Sequence, residues 1–108
     1  MNEAQIYSIL SPLSGGNVFP YVAPNGTQAP WLIFSFPTET GDDVFCGQSG
    51  FRSSTLQIDV YAKDIDTADE ILRQAEIALE HLMPSSLLKT KGYEPDTGLR
   101  RATLEVQV

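Results

Sequence analysis

The sequence predicts an α+β fold: a single domain with a mainly antiparallel four- to five-stranded sheet and two helices packed on one face. Three observations lead to this fold class. The chain has 108 residues, the length of one ordinary domain. Apolar residues recur at helical spacing in two segments and alternate with polar residues in others. The order of these segments, which is helix, extended segment, strand, strand, helix, strand, strand, is typical of helices on one face of an antiparallel sheet.

Two segments have the apolar spacing of helices. Residues 3–10 form the first, which ends before Pro12 because a proline disfavours helical geometry at the preceding residue. Residues 67–82 form the second, which opens with a capping-box pattern at 67–70 and ends at Pro84. Their apolar faces comprise Ile6, Ile9, Leu10 and Leu13 in the first, and Ala68, Ile71, Leu72, Ala75, Ala78, Leu79 and Leu82 in the second.

Strand patterns account for most of the remaining chain. Residues 31–36 are apolar on both faces, which predicts a central strand or one whose second face meets another subunit. Residues 54–62 and 99–108 alternate as half-buried strands do, and residues 87–93 precede the last of these in a hairpin. Because they contain two prolines, residues 18–24 are confined to an edge strand or an extended connector.

A long polar segment separates the two central strands. Residues 38–53 are predicted to form a long flexible loop, and loops of this length tend to be functional or disordered. Its aromatic rings, Phe45 and Phe51, either fold back on their own core or dock on a neighbouring subunit. Tyr61, outward on an otherwise polar strand face, allows the same two interpretations. The predicted interface with a subunit or partner comprises Asp42, Asp43, Phe45, Phe51, Arg52 and Tyr61.

Charge and composition exclude several classes of protein. Seven Lys and Arg against fourteen Asp and Glu give a net charge of −7, which argues against sequence-specific nucleic-acid binding. No apolar run approaches the roughly 20 residues that span a bilayer. The N-terminus has no signal-peptide pattern, so we expect the protein to be made and kept in a cytosol.

The reactive side chains do not form a recognised catalytic or metal-binding pattern. Cys46 and His81 are the only Cys and His, too few for a zinc site. Asp64 and Asp66 superficially begin a calcium loop, but Ala75 stands where the bidentate Glu belongs. We therefore predict no catalytic residue, no cofactor and no metal. An enzyme with an unfamiliar site stays an alternative, and its activity would depend on Cys46 and His81.

The chain resembles the tail completion protein family of long-tailed bacteriophages and prophages. Residues 18–34 (VFPYVAPNGTQAPWLIF) are similar to that family's opening block, and residues 56–62 (LQIDVYA) to its next strand. The resemblance runs on through the helix at 67–82 to the closing hairpin at 98–101 (GLRR), so it covers most of the chain. The chain departs from the family's usual aromatic pattern at Phe19, Trp31 and Leu99.

The resemblance implies a structural tail terminator or head–tail joining protein. Such proteins form a ring, commonly a hexamer, on the head-proximal end of the tail tube, where they stop tube growth and offer a surface to the head connector. The implied partners are further copies of the chain, the tail tube protein and the head completion or connector protein. The implied location is the tail end of the virion, after assembly in the host bacterial cytoplasm.

Two features of the sequence are compatible with a ring. Each subunit of a closed ring needs two different complementary patches, and residues 18–24 and 38–53 offer one side each. An acidic balance suits a lumen that does not retain DNA. The alternative is a small cytosolic protein-binding adaptor encoded by a prophage, with no direct place in the tail.

Overall fold

The computed structural model describes residues 3–41, 52–82, 84 and 87–107. Within these residues the chain forms two α-helices and five strands, and a short 3₁₀ turn follows each helix, at Leu13–Gly16 and at Glu80–Leu82. In chain order the elements are α1 (Glu3–Leu10), β1 (Val18–Pro20), β2 (Trp31–Gly41), β3 (Arg52–Ala62), α2 (Ile65–Ala78), β4 (Leu87–Glu94) and β5 (Leu99–Gln107).

The five strands form one sheet in the order β1-β2-β3-β5-β4. β1 runs parallel to β2, and the other neighbouring strands are antiparallel. α2 packs against β3 and β5, and α1 packs beside β1. The predicted fold class is confirmed, with β1 as the short edge strand that makes the sheet mixed.

One hydrophobic core lies between the sheet and the helices. Phe34, Ile58 and Leu104 stand side by side on β2, β3 and β5, so each strand contributes to the same layer. Alternation predicts inward positions at Leu56, Ile58, Val60 and Ala62 on β3 and at Ala102, Leu104, Val106 and Val108 on β5. All are buried except Val108, which lies outside the described residues. The largest fully buried side chains are Ile6, Leu10, Val18, Leu32, Phe34, Leu56, Ile58, Val60, Leu79 and Leu104.

The second helix begins earlier than predicted. Its N-cap is Asp64, whose carboxylate accepts the backbone N–H of Thr67 at 2.8 Å and the Thr67 hydroxyl at 3.1 Å. These hydrogen bonds hold the pKa of the Asp64 carboxyl below its usual value. The Thr67–Glu70 spacing fits a capping box, but an aspartate three residues upstream is an equally good N-cap and the chain uses it.

The connection between β2 and β3 is shorter at both ends than the predicted 38–53 loop. β2 continues to Gly41 and β3 starts at Arg52, after an irregularity in the pairing between Ser35 and Thr38. Within the described residues, β5 ends with Gln107 opposite Thr55. Beyond that point only β2 and β3 pair, and we call this two-stranded extension of the sheet the ribbon. The Thr, Glu and Ser residues of this segment do not alternate with apolar residues as those of a half-buried strand do. The sequence alone therefore predicts a loop here.

A hydrogen bond fastens α1 to the segment that follows β1. The Tyr21 hydroxyl donates to Glu3 Oε2 at 2.7 Å, which lowers the pKa of the Glu3 carboxyl and raises that of the Tyr21 hydroxyl. The backbone N–H of Tyr21 also donates to the Phe34 carbonyl at 2.9 Å. The start of the helix layer is thereby tied to the sheet.

Candidate functional site

The second face of the sheet, which we call the open face, lies opposite α1 and α2. At one end of it Trp31, Tyr61 and Arg101 stand side by side on β2, β3 and β5. The Trp31 and Tyr61 rings are tilted by 37° with their centroids 5.4 Å apart. Tilted aromatic pairs on neighbouring strands stabilise a sheet locally and present a broad apolar surface.

Arg101 completes this aromatic row with a charged group. Its guanidinium binds Glu94 at 2.9 Å and also interacts with Tyr61, whose hydroxyl pKa is raised mainly by burial. Gly92 stands opposite Arg101 on β4, and a β-carbon there would come within 2.9 Å of the guanidinium. The glycine therefore allows the Arg101 side chain to lie across the neighbouring strand.

An open groove of about 310 Å³ runs beside the aromatic row. Its floor is apolar, and Val22 at its margin is 72% exposed. Two carboxylates stand on its rim. The indole N–H of Trp31 is buried and has no hydrogen-bond partner among the described residues. We call it the Trp31 groove, and it is lined by Val22, Ala23, Trp31, Ile33, Tyr61, Glu94, Asp96 and Thr97.

A buried carboxylate lies next to this row on the open face. Asp59 is only 9% exposed, and it accepts the Thr103 hydroxyl at 2.5 Å and the Gln57 amide at 2.9 Å. Both donors are side chains on the sheet itself, so lateral neighbours satisfy the hydrogen bonding of the carboxyl oxygens. The arrangement explains a buried acid as a structural group of the sheet.

The predicted interface residues fall into two groups. Asp42, Asp43, Phe45 and Phe51 lie outside the described residues. Arg52 opens β3 opposite Gly41, at the far end of the ribbon, whereas Tyr61 lies at the other end of the same strand in the Trp31 groove. A shared interface that includes all six stays a prediction.

Sequence reasoning missed most of the Trp31 groove. Alternation alone placed Tyr61 and Arg101 outward, but it did not show that they are direct neighbours, since that requires the order of β3 and β5 in the sheet. The contribution of Glu94 and Asp96 depends on the β4–β5 turn folding back over the same face.

The two edges of the sheet differ. β1 is three residues long and ends in Pro20, which has no backbone N–H to donate. β4 is eight residues long and exposed, with Leu87 and Leu88 both about half accessible to solvent. Lys89 and Lys91 follow on the same strand, and charged side chains on an edge strand oppose its pairing with another chain.

Other chemistry is sparse in the described part of the chain. No three His, Cys, Asp or Glu side chains converge there as a metal site would require. The ring Nδ1 of His81 lies 3.0 Å from the Ala78 carbonyl at the end of α2, and Cys46 lies outside the described residues. In the same part of the chain, neither helix has the length and apolarity to cross a membrane.

The described residues thus form a small α+β scaffold with exposed apolar and charged surfaces. The sequence profile described as tail completion protein gp17 matches residues 5–108. The chain therefore belongs to the tail completion protein family, and it is a structural protein of phage tails.

Two further comparisons complete this result. A chain in the structure titled "Virion of native gene transfer agent (GTA) particle" is similar in fold, with a TM-score of 0.48 and 15% sequence identity. The similarity covers 97% of this chain and 83% of that chain. No curated protein matches the sequence.

Proposed function

We propose that this protein caps the head-proximal end of the tail tube and joins the tail to the head as a closed ring of identical subunits. The match of the tail completion family to residues 5–108, almost the whole chain, carries the proposal. The partners are further copies of the chain, in a hexamer, with the tail tube protein on one side and the head completion or connector protein on the other. The role is structural and involves no catalytic step.

The shape of the central hairpin supports a head-to-tail ring. Subunits in a ring meet through two different patches, which must lie on separate parts of the surface. The Trp31 groove lies at one end of β2 and β3, and the ribbon lies at the other. β2 has eleven residues, so the two ends are roughly 35 Å apart at about 3.3 Å per residue.

We assign the predicted interface residues to this contact. In the sequence Asp42, Asp43, Phe45 and Phe51 lie between the last residue of β2 and Arg52 at the start of β3, and we assign them to contact the groove of the next subunit, which contains Tyr61. Two phenylalanine rings suit the apolar floor of that groove, since aromatic groups contribute much of the stabilisation at protein interfaces. Asp96, which lines the groove and has no ion-pair partner in the described part of the chain, suits an arginine.

Deletion of the gene from the prophage that carries it tests this function directly. The prophage is then induced, and the lysate is examined by negative-stain electron microscopy. We expect overlong tails, or full heads beside separate tails, and these two phenotypes distinguish tail termination from head–tail joining. Intact virions in normal number would overturn the proposed function and favour the adaptor.

Complementation of the deletion tests the contact itself. A Phe45→Ala/Phe51→Ala double variant and a Tyr61→Ala variant should both fail to restore virions while remaining folded. Tyr7→Ala is the matched control, because Tyr7 is an exposed tyrosine on α1, away from the groove and the ribbon. Normal virion yield from the double variant would refute the assigned contact and leave the role in the tail intact.

A further inference from the structure

We propose that a cleft between β4 and the start of α2 binds carboxylate side chains of an acidic segment in a protein partner. This basic cleft has a volume of about 590 Å³ and opens on the helix side of the sheet, away from the Trp31 groove. The residues that matter here are Lys63, Asp64, Ile65, Lys91, Tyr93 and Arg100.

The cleft gathers positive charge on an acidic protein. The sequence has only seven Lys and Arg against fourteen Asp and Glu, yet Lys63, Lys91 and Arg100 line this one cleft. The sheet register brings them together, since Arg100 stands between Ala62 on β3 and Tyr93 on β4. Lys63 directly follows Ala62 in the chain.

Arg100 is held in a conformation that suits a carboxylate. Its guanidinium carbon lies 4.4 Å from the centroid of the Tyr93 ring, and the side chain has no carboxylate partner among the described residues. Stacking on a ring occupies one face of the guanidinium and leaves the N–H groups at its edge free. Those N–H groups match the two oxygens of a carboxylate in a bidentate pair.

Two cations of the cleft have no ion pair of their own in the described part of the chain. Lys91 already binds Asp69 at 2.9 Å, whereas Lys63 has no ion-pair partner in the described part of the chain. The Asp64 carboxylate is occupied by the N–H and hydroxyl of Thr67. Lys63, Lys91 and Arg100 against the carboxylates of Asp64 and Asp69 leave one net positive charge, and the two cations without an ion pair, Lys63 and Arg100, present it to a ligand.

The charge of the whole molecule favours a protein ligand over DNA. Duplex DNA carries a negative charge about every 1.7 Å along its axis, so most of its phosphates would face a chain of net charge −7. One or two carboxylates on a peptide need only the local positive charge of the cleft. An acidic loop or terminus of a partner protein fits this requirement.

The test uses purified, ¹⁵N-labelled full-length protein and two synthetic peptides, acetylated hexaglutamate amide and its hexaglutamine counterpart. We expect hexaglutamate to shift the amide signals of residues 63–65, 91–93 and 100 and the Arg100 Nε signal. Arg100→Gln should weaken this binding by roughly tenfold, as loss of a charge-assisted bidentate pair does. Lys63→Gln should weaken it by a smaller factor.

The matched control is Arg73→Gln, because Arg73 is an exposed arginine on α2 that pairs with Glu70 outside the cleft. This variant should bind hexaglutamate as the wild type does. Equal binding of hexaglutamate and hexaglutamine would overturn the proposal, and so would tighter binding of a short DNA duplex at the same amides. Purified protein and peptides suffice, so the result is independent of the proposed role in tail assembly.

Discussion

Side chains on the two faces of the sheet are shielded from water by different kinds of neighbours. On the helix side, Leu32, Phe34 and Ile58 are covered by a second layer and surrounded by other apolar groups. On the open face, Asp59 and Thr103 are almost as buried, but their cover comes from neighbours within the sheet. Nonpolar packing therefore dominates one face, and specific pairs of side chains dominate the other.

Buried side chains therefore stabilise the two faces through different kinds of interaction. A core side chain contributes in proportion to the apolar area it removes from water. A side chain on the open face contributes through one or two directional contacts, such as Arg101 with Glu94 or Thr103 with Asp59. Substitutions that alter volume should matter most on the first face, and substitutions that alter hydrogen bonding should matter most on the second.

The largest effect is expected in the core. Phe34→Ala should lower the free energy of unfolding by about 3–5 kcal/mol, because it removes a fully buried ring and leaves a cavity. Ile33→Ala on the neighbouring position of β2 faces the open side and should cost about 1 kcal/mol. Urea unfolding followed by circular dichroism measures both. Similar losses from the two variants would contradict the asymmetry between the faces.

An intermediate effect is expected for the buried carboxylate. Thr103→Val removes the hydroxyl that donates to Asp59 and should cost about 1–3 kcal/mol, since a buried acceptor oxygen then lacks its donor. Thr103→Ser retains that donor and serves as the control, with an expected loss below about 1 kcal/mol. Equal stability of the valine variant and the wild type would show that lateral hydrogen bonds do not maintain the open face.

The smallest effect is expected for the hydrogen bond between Tyr21 and Glu3, at the margin of the helix layer. Tyr21→Phe removes the donor to Glu3, so the pKa of the Glu3 carboxyl should rise towards its usual value of 4.5. Because the folded pKa is lowered, this interaction stabilises the protein at pH values above that usual value. The contribution is lost as the pH falls through the lowered pKa.

An NMR pH titration of the Glu3 side-chain carboxyl carbon in wild type and variant measures the shift directly. Tyr7→Phe is the control, since it removes a tyrosine hydroxyl from α1 and leaves the Glu3 contact in place. An unchanged Glu3 titration in Tyr21→Phe would mean that the hydroxyl does not hold the start of α1 against the sheet in solution.

The sequence predicts what depends on local periodicity. α1 has the predicted bounds, 3–10, and the inward sets on β3 and β5 are correct, because spacing along one segment determines which residues share a face. The strand at 38–41 escaped prediction because its sequence, Thr-Glu-Thr-Gly, does not alternate apolar and polar residues. The N-cap at Asp64 was missed because two candidate caps lie three residues apart.

The candidate sites depend on information that a single segment does not contain. Arg101 meets Gly92 and Glu94, and Arg100 meets Tyr93, only because β4 and β5 pair in one particular register. Adjacent arginines then point to opposite faces and serve different surfaces. In the sequence the two residues are a simple basic pair, and the sheet gives each a separate environment.

The two edge strands of the sheet, β1 and β4, also affect the solubility of free subunits before they assemble. A sheet grows into a fibre only if both edges accept a further strand, because each added copy must leave a new edge open. On one edge, β4 carries Lys89 and Lys91, and charged side chains on an edge strand oppose pairing with a further copy. On the other edge, β1 is short and ends in Pro20, so features that oppose strand addition on both sides protect a concentrated pool of free subunits from aggregation.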